Sequence, residues 1–194
     1  DDARKILAQT EATLEALKRV ERGETGEIAI GYVASAAYSG TLIQSLSSFR
    51  RLYPDVKLNL IEMEMSQQLN RISEGMLDFG YIRPPVPVPE GVTTSRLLSE
   101  AFVVALPEAH EHAADQRLEL TVLADEIFIV PRQRADIGFH KNTISACREA
   151  GFEPHIDASG RDFTTIASMV AVGLGIALVP RSLECLRLPG IRYV

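Results

Sequence analysis

At 194 residues the chain can form one large domain or two small ones with a substantial core. Hydrophobic residues at 46% and charged residues at 24% exclude a disordered tail, and no apolar run approaches the length of a membrane span. A net charge of −6 makes these residues by themselves a poor match for nucleic acid. The charged N-terminus carries no apolar stretch of an export signal, so the chain reads as cytoplasmic. It begins on Asp1 rather than Met, and so reads as a fragment or a processed chain.

Residues 1–22, DDARKILAQTEATLEALKRVER, lack Gly and Pro and are rich in good helix formers. Leu7, Thr10, Leu14 and Leu17 fall on one narrow stripe at alternating three- and four-residue spacing. So narrow a seam suits helix–helix pairing, with packing on the chain's own domain as the alternative. Gly23 and Gly26 punctuate its end.

The pattern then alternates. EIAIGYV (27–33) is a strand, and TLIQSLSSFRRLYP (41–54) has a helical apolar period stopped by Pro54. VKLNLIEM (56–63) is a second strand. Ser66 is placed to N-cap a helix that closes at Gly75, and LDFGYI (77–82) is a third strand. The proline-rich stretch 83–91 is a loop. This β-α-β-α-β order predicts a parallel sheet with crossover helices.

Residues 93–107, TTSRLLSEAFVVALP, read as one long strand passing between two lobes. A short helical element (LTVLADE), a strand at 127–131, a helix at 140–151 and an extended PHIDAS follow. The final segments are a helix (FTTIASMVAVG), a strand (IALVP) and the start of another (IRYV). The fold class expected is α/β with two Rossmann-like lobes joined by extended crossovers.

The G-x-G of VAVGLGIALVP is not a phosphate loop. A dinucleotide site needs a strand before its glycines and a helix after them. Here the helix comes first, so Gly173 reads as a helix stop and Gly175 as a tight entry to a buried strand.

A catalytic search finds little. His110, His112, His140 and His155 show no zinc spacing, and no G-x-S-x-G elbow is present. Cys147 and Cys185 lack a metal or redox spacing and read as reduced thiols. Nothing calls for a metal or a cofactor, and the chain reads as a non-enzyme.

Ligands of open α/β sheets collect where strands end and helices begin. Four such junctions carry polar groups. They are Ser35 in VASAAYSGT, Ser66 in MSQQ, Arg83 in YIRPP, and PRQRADIGFH with Arg132 and Phe139. Helix N-termini and a serine hydroxyl suit a carboxylate, and an arginine can pair with one bidentately. The plainer alternatives are ordinary caps for the serines and a surface or lobe–lobe salt bridge for Arg83.

Taken together, GEIAIGYVASAAYSGTLIQSLSSFRRLYPDVKLNLIEM, SEGMLDFGYIRPP, CREAGFEP and ASMVAVGLGIALVPRS resemble the effector-binding domain of LysR-type transcriptional regulators. The resemblance runs from about Gly26 to the end. It implies two Rossmann-like subdomains around a central cleft, of the type II periplasmic-binding-protein kind. Residues 1–25 would be the linker helix that pairs subunits. Residues 26–98 and 164–194 would form one subdomain, and 99–163 the other. The winged helix-turn-helix that contacts promoter DNA in the family is not among these residues, and the usual last strand and helix after IRYV are cut short.

Within the family, IGYVASAAYSG, DFGYIRPP and the GFH loop look most like regulators of aromatic-compound catabolism, including those answering to muconate-type acids. By matching positions, Ser35 and Ser66 would hold an effector carboxylate, Arg83 would be a pocket arginine and Phe139 an aromatic beside the cleft. The effector site implied comprises Ser35, Ala36, Ser66, Ile82, Arg83, Arg132, Phe139, Phe163 and Thr164. The partners implied are a small, anionic effector and a second copy of the chain, in a dimer or tetramer. A periplasmic-type solute-binding protein shares the fold but needs no pairing helix. A bilobal enzyme would need a base or nucleophile in the cleft.

Overall fold

The computed structural model describes residues 2–21 and 23–194, apart from the side chain of Ala16. The expected first helix is observed as α1, Asp2–Glu21; Asp1 and Arg22 lie outside the described residues. Its stripe is bare, with Leu7, Leu14 and Leu17 each more than half exposed. The helix therefore does not lie on its own domain. Arg19, in the last turn, ion-pairs with Asp55 and ties the helix end to the body of the protein.

The first lobe is the predicted β-α-β-α-β unit. Strands β1 (Gly26–Tyr32), β2 (Val56–Glu62) and β3 (Phe79–Tyr81) form a parallel sheet in the order β2-β1-β3. The short helix α2 (Ala34–Tyr38) and then α3 (Thr41–Leu52) follow β1, and α4 (Met65–Ser73) follows β2. Parallel pairing needs such crossovers, because a tight hairpin would reverse the chain. Met65, Gln68 and Leu69 are the buried face of α4.

The second lobe contains β4 (Phe102–Pro107), β5 (Ile127–Pro131), α5 (Gly138–Glu149), β6 (His155–Gly160), α6 (Phe163–Ala171), β7 (Ala177–Pro180) and β8 (Ile191–Tyr193). Two 3₁₀ turns, Leu120–Leu123 and Arg181–Cys185, connect them. β4 pairs antiparallel with β7 on one edge and β8 on the other, and β5 pairs parallel with β6. A parallel bridge between Phe128 and Ile176 joins the two sets, with Ile129 N–H donating to the Ile176 carbonyl at 2.7 Å. Both faces are covered. Ile166, Ala167 and Val170 of α6 pack with Val103, Ala105 and Val179 on one side, and Cys147 of α5 with Phe128 and Leu178 on the other.

Two expectations need correction. The extended stretch 93–107 is a strand only from Phe102, because residues 93–101 find no sheet partner. Residues 164–194 pair with the second lobe, not the first. β4 leaves the crossover with two open edges, and the apolar strands β7 and β8 fill both.

The glycine pair behaves as its order dictates. Gly173, at φ 79°, donates to the Val170 carbonyl while Leu174 donates to Met169, which closes α6 as a Schellman motif. At Gly175 a Cβ would come within 2.5 Å of the Ile127 carbonyl oxygen, so the chain enters β7 where only glycine fits.

Candidate functional site

The C-terminal ends of β1, β2, β3, β5 and β6 converge on a cavity of about 270 Å³ between the lobes. That volume is near the ~300 Å³ lower end for small-ligand pockets, which limits an occupant to a small molecule. From the first lobe it is lined by Ser35, Glu62, Met63, Glu64, Met65 and Arg83, among others. The second lobe supplies Gln133, Gly138, Phe139, Arg161, Asp162 and Phe163.

Ser35, inside the short α2, is only 6% exposed. Its hydroxyl makes no hydrogen bond with any described residue, and it lines the cavity. A hydroxyl with no protein partner on a cavity wall can donate to, or accept from, an occupant.

Two helix N-termini face the same space. α4 begins at Met65, with Glu64 as an N-cap whose side chain makes no capping bond. α5 begins at Gly138 with Ile137 before it, a residue that cannot cap. Uncapped first-turn N–H groups carry partial positive charge and favour anions. α6 differs, since the Asp162 carboxylate accepts from Thr165 N–H at 2.8 Å.

Arg83 does not present a free fork. Its Nη1 donates to Glu100 at 2.7 Å and its Nη2 to the Ser35 carbonyl at 3.0 Å. Nε is buried and has no partner. The lobe–lobe salt bridge, the plainer of the two roles considered for Arg83, is thus the one observed. Burial alone would raise the Glu100 carboxyl, but hydrogen bonds from Ser182 and Arg83 outweigh it and hold the group below the ordinary carboxylate value.

The hinge side is stitched by backbone contacts. Gly138 N–H donates to the Pro85 carbonyl at 2.6 Å, and Asn142 Nδ2 to the Pro84 carbonyl at 3.3 Å. Gly138 sits at φ 54°, and a Cβ there would meet Gln133 Oε1 at 2.4 Å and Met65 Cε at 2.8 Å. Gln133 Oε1 is itself buried with no donor. Across the mouth, Tyr38 Oη and Thr164 Oγ1 share a hydrogen bond of 2.8 Å.

Four residues predicted from sequence thus line one cavity: Ser35, Arg83, Phe139 and Phe163. Phe139 and Phe163 meet edge to face at 4.9 Å and form an apolar wall. Five lie outside the lining. Ala36 is buried, Ile82 half-buried, Thr164 exposed and held by Tyr38. Ser66 is exposed and is not the N-cap, since the helix starts one residue before it. Arg132 is exposed, with its backbone N–H donating to the Gly160 carbonyl.

Sequence reasoning passed over Glu62, Glu64, Gln133 and Arg161. The signal for the two glutamates was present, since they end β2 and open α4 at a strand-to-helix junction of the kind already singled out.

A two-lobed α/β module with a small, polar-lined cavity between its lobes is what this fold and site define. The family model described as LysR substrate binding domain matches residues 21–194, and the chain belongs to that family. Named relatives agree. It is 29% identical over 192 residues to the HTH-type transcriptional regulator BudR of Raoultella terrigena, covering 99% of this chain and 66% of that protein. It is 32% identical to the HTH-type transcriptional regulator IlvR of Caulobacter vibrioides, covering 97% and 63%. The chain thus spans just under two thirds of the length of these relatives.

Among solved structures, the BenM effector-binding domain with its effector benzoate superposes with a TM-score of 0.76 at 27% identity, over 87% of this chain and 76% of that one. Full-length CbnR complexed with its target DNA gives 0.82 at 22% identity, over 100% and 65%, a likeness of fold alone. No described helix is long and apolar enough to cross a membrane.

Proposed function

We propose that this chain is the ligand-sensing part of a cytoplasmic, non-enzymatic transcriptional regulator. A small carboxylate-bearing effector, an aromatic-derived or muconate-type acid, occupies the inter-lobe cavity. The carboxylate is taken by the Ser35 hydroxyl, the Arg83 Nε–H and the uncapped first turn of α4, where Ser66 contributes its backbone N–H. Ala36, Ile82 and Arg132 back the lining, Phe139 and Phe163 shape the apolar wall, and Thr164 governs the mouth through Tyr38. Copies pair through the α1 stripe of Leu7, Thr10, Leu14 and Leu17, and effector binding changes how a winged helix-turn-helix domain sits on promoter DNA.

The observation that carries this reading is Ser35, a largely buried residue whose hydroxyl has no protein partner, on a cavity flanked by two uncapped helix N-termini. Isothermal titration with benzoate and cis,cis-muconate tests it. Removing one hydrogen bond to a charged group is worth about 1.5–3 kcal/mol, so Ser35→Ala should weaken binding about tenfold or more. An affinity unchanged by that substitution overturns the site.

A further inference from the structure

Gln68 of α4 is a polar residue with 0% exposure, and it stands outside the cavity lining. Its socket is built into the first sheet. Gly31 of β1 and Gly80 of β3 are register partners, and a Cβ on either would come to 2.8 Å from the Gln68 side chain. Neither glycine has a left-handed φ, so space and not backbone conformation calls for glycine at both.

Packing alone does not ask for an amide there. Gln68 Oε1 is buried with no donor, and an amide oxygen taken from water without a partner is unfavourable. A methionine of similar length would fill the socket without that penalty. What the amide adds lies at its other end, where Nε2 donates to the Met63 carbonyl at 3.0 Å. Turned over, the amide would set Oε1 against that carbonyl, acceptor against acceptor.

Met63 is where β2 gives way to α4. Its N–H donates to the Tyr32 carbonyl at the end of β1 at 3.0 Å, and its carbonyl is held by Gln68. The Gln68 backbone N–H also donates to the Glu64 carbonyl at 3.0 Å, so one residue grips the corner twice. Met63, Glu64, Met65 and Gln67 all line the cavity, and the Glu64 side chain does not cap the helix.

We infer that Gln68 is the positioning residue of the effector site: from a socket made by Gly31 and Gly80 it fixes the Met63 carbonyl and so aims the first turn of α4 into the cavity. The inference rests on the cleft reading above and deepens it, since that first turn is among the groups that take the effector carboxylate. Gln68 acts without touching the effector.

Gln68→Met in the whole chain tests this with urea unfolding, hydrogen exchange by NMR, and isothermal titration with benzoate and cis,cis-muconate. The urea midpoint should stay near the wild-type value, because the socket stays filled. The amides of Met63 and residue 68 should exchange about tenfold faster, while Val104 N–H, bonded to Val194 in the second lobe, keeps its rate. Binding should weaken about fivefold or more, the order of an anion's interaction with a helix N-terminus. Gly80→Ala is the second variant. Its methyl meets Gln68 Oε1 at 2.8 Å and displaces the amide without removing it, so exchange and affinity should change in the same direction. Exchange at Met63 or affinity left unchanged by Gln68→Met overturns the inference and leaves the cleft reading standing. A Gly80→Ala chain that changes neither overturns the glycine socket. A Gln68→Met chain that fails to fold, or whose Val104 exchange rises in step, also overturns the inference, since the amide then serves stability and not placement. Should neither acid bind the wild type, the effector class of the cleft reading falls, and exchange at Met63 alone decides the inference.

Discussion

Arg83 and Glu100 meet at 2.7 Å with both side chains largely out of water, 18% and 13% exposed. Arg83 follows β3 of the first lobe, whereas Glu100 precedes β4 and also accepts from the backbone N–H of Ser182. The pair therefore pins the end of one sheet to the start of the other at the edge of the cavity. It also occupies two of the five N–H groups of Arg83 and offsets its charge.

Loss of the Glu100 charge should be costly, because it strands a guanidinium in a half-dry site. Glu100→Gln is expected to lose about 3 kcal/mol, the low end for breaking a buried pair. The pH dependence has a definite sign. Glu100 lies below its ordinary value of 4.5 in the folded chain, so its contribution is complete above that value and is lost as pH falls through the folded one. Thermal melts from pH 7 to pH 3 should show a steeper acid loss for the wild type than for Glu100→Gln. Parallel profiles would show that the pair contributes nothing.

The two glycines of the G-x-G should separate on substitution. Gly173→Ala meets open space and incurs only the left-handed backbone cost, roughly 1 kcal/mol. Gly175→Ala drives a methyl against the Ile127 carbonyl, a backbone atom that cannot swing away. Its urea midpoint should fall by at least twice as much. Equal losses would mean the β5–β7 junction is slack.

The cleft mouth has its own tie. The hydrogen bond between Tyr38 and Thr164 links α2 to the first turn of α6, and its loss should cost about 0.5–1 kcal/mol. A double-mutant cycle with Tyr38→Phe and Thr164→Val should return a coupling of that size. Additive effects would show that the two hydroxyls act independently.

The thiols should differ sharply. Cys147 is fully buried, and burial first, then the nearby Glu153 charge, pushes its thiol up to about 11. Cys185 is exposed. A thiol-exchange reagent at pH 8 should modify Cys185 alone in the native chain and both after denaturation, since the thiolate is the reactive form. Reaction of both thiols in the native chain at one rate would mean that α5 opens readily.

Much of the fold was legible because the signals that carry it are local. The 3.6-residue period of 41–54, the alternation of 27–33 and the glycine stop before IALVP each depend on neighbours along the chain. The serine at 35 was legible for the same reason, as a polar residue where a strand gives way to a helix. Ser66 was misplaced because helix starts shift by a residue with little local change.

What the amino-acid order determined by itself is therefore the succession of elements, the two-lobed class and the reversed sense of the G-x-G, since backbone hydrogen bonding and apolar periodicity act over a few residues. Only the tertiary structure decided that β7 and β8 close on β4, that Arg83 is held by Glu100, and that Glu62 and Glu64 share a cavity with Ser35. Those relations join residues from separate crossovers. Charge pairing depends on distance in space, and no local pattern encodes which strand ends will meet across a cleft.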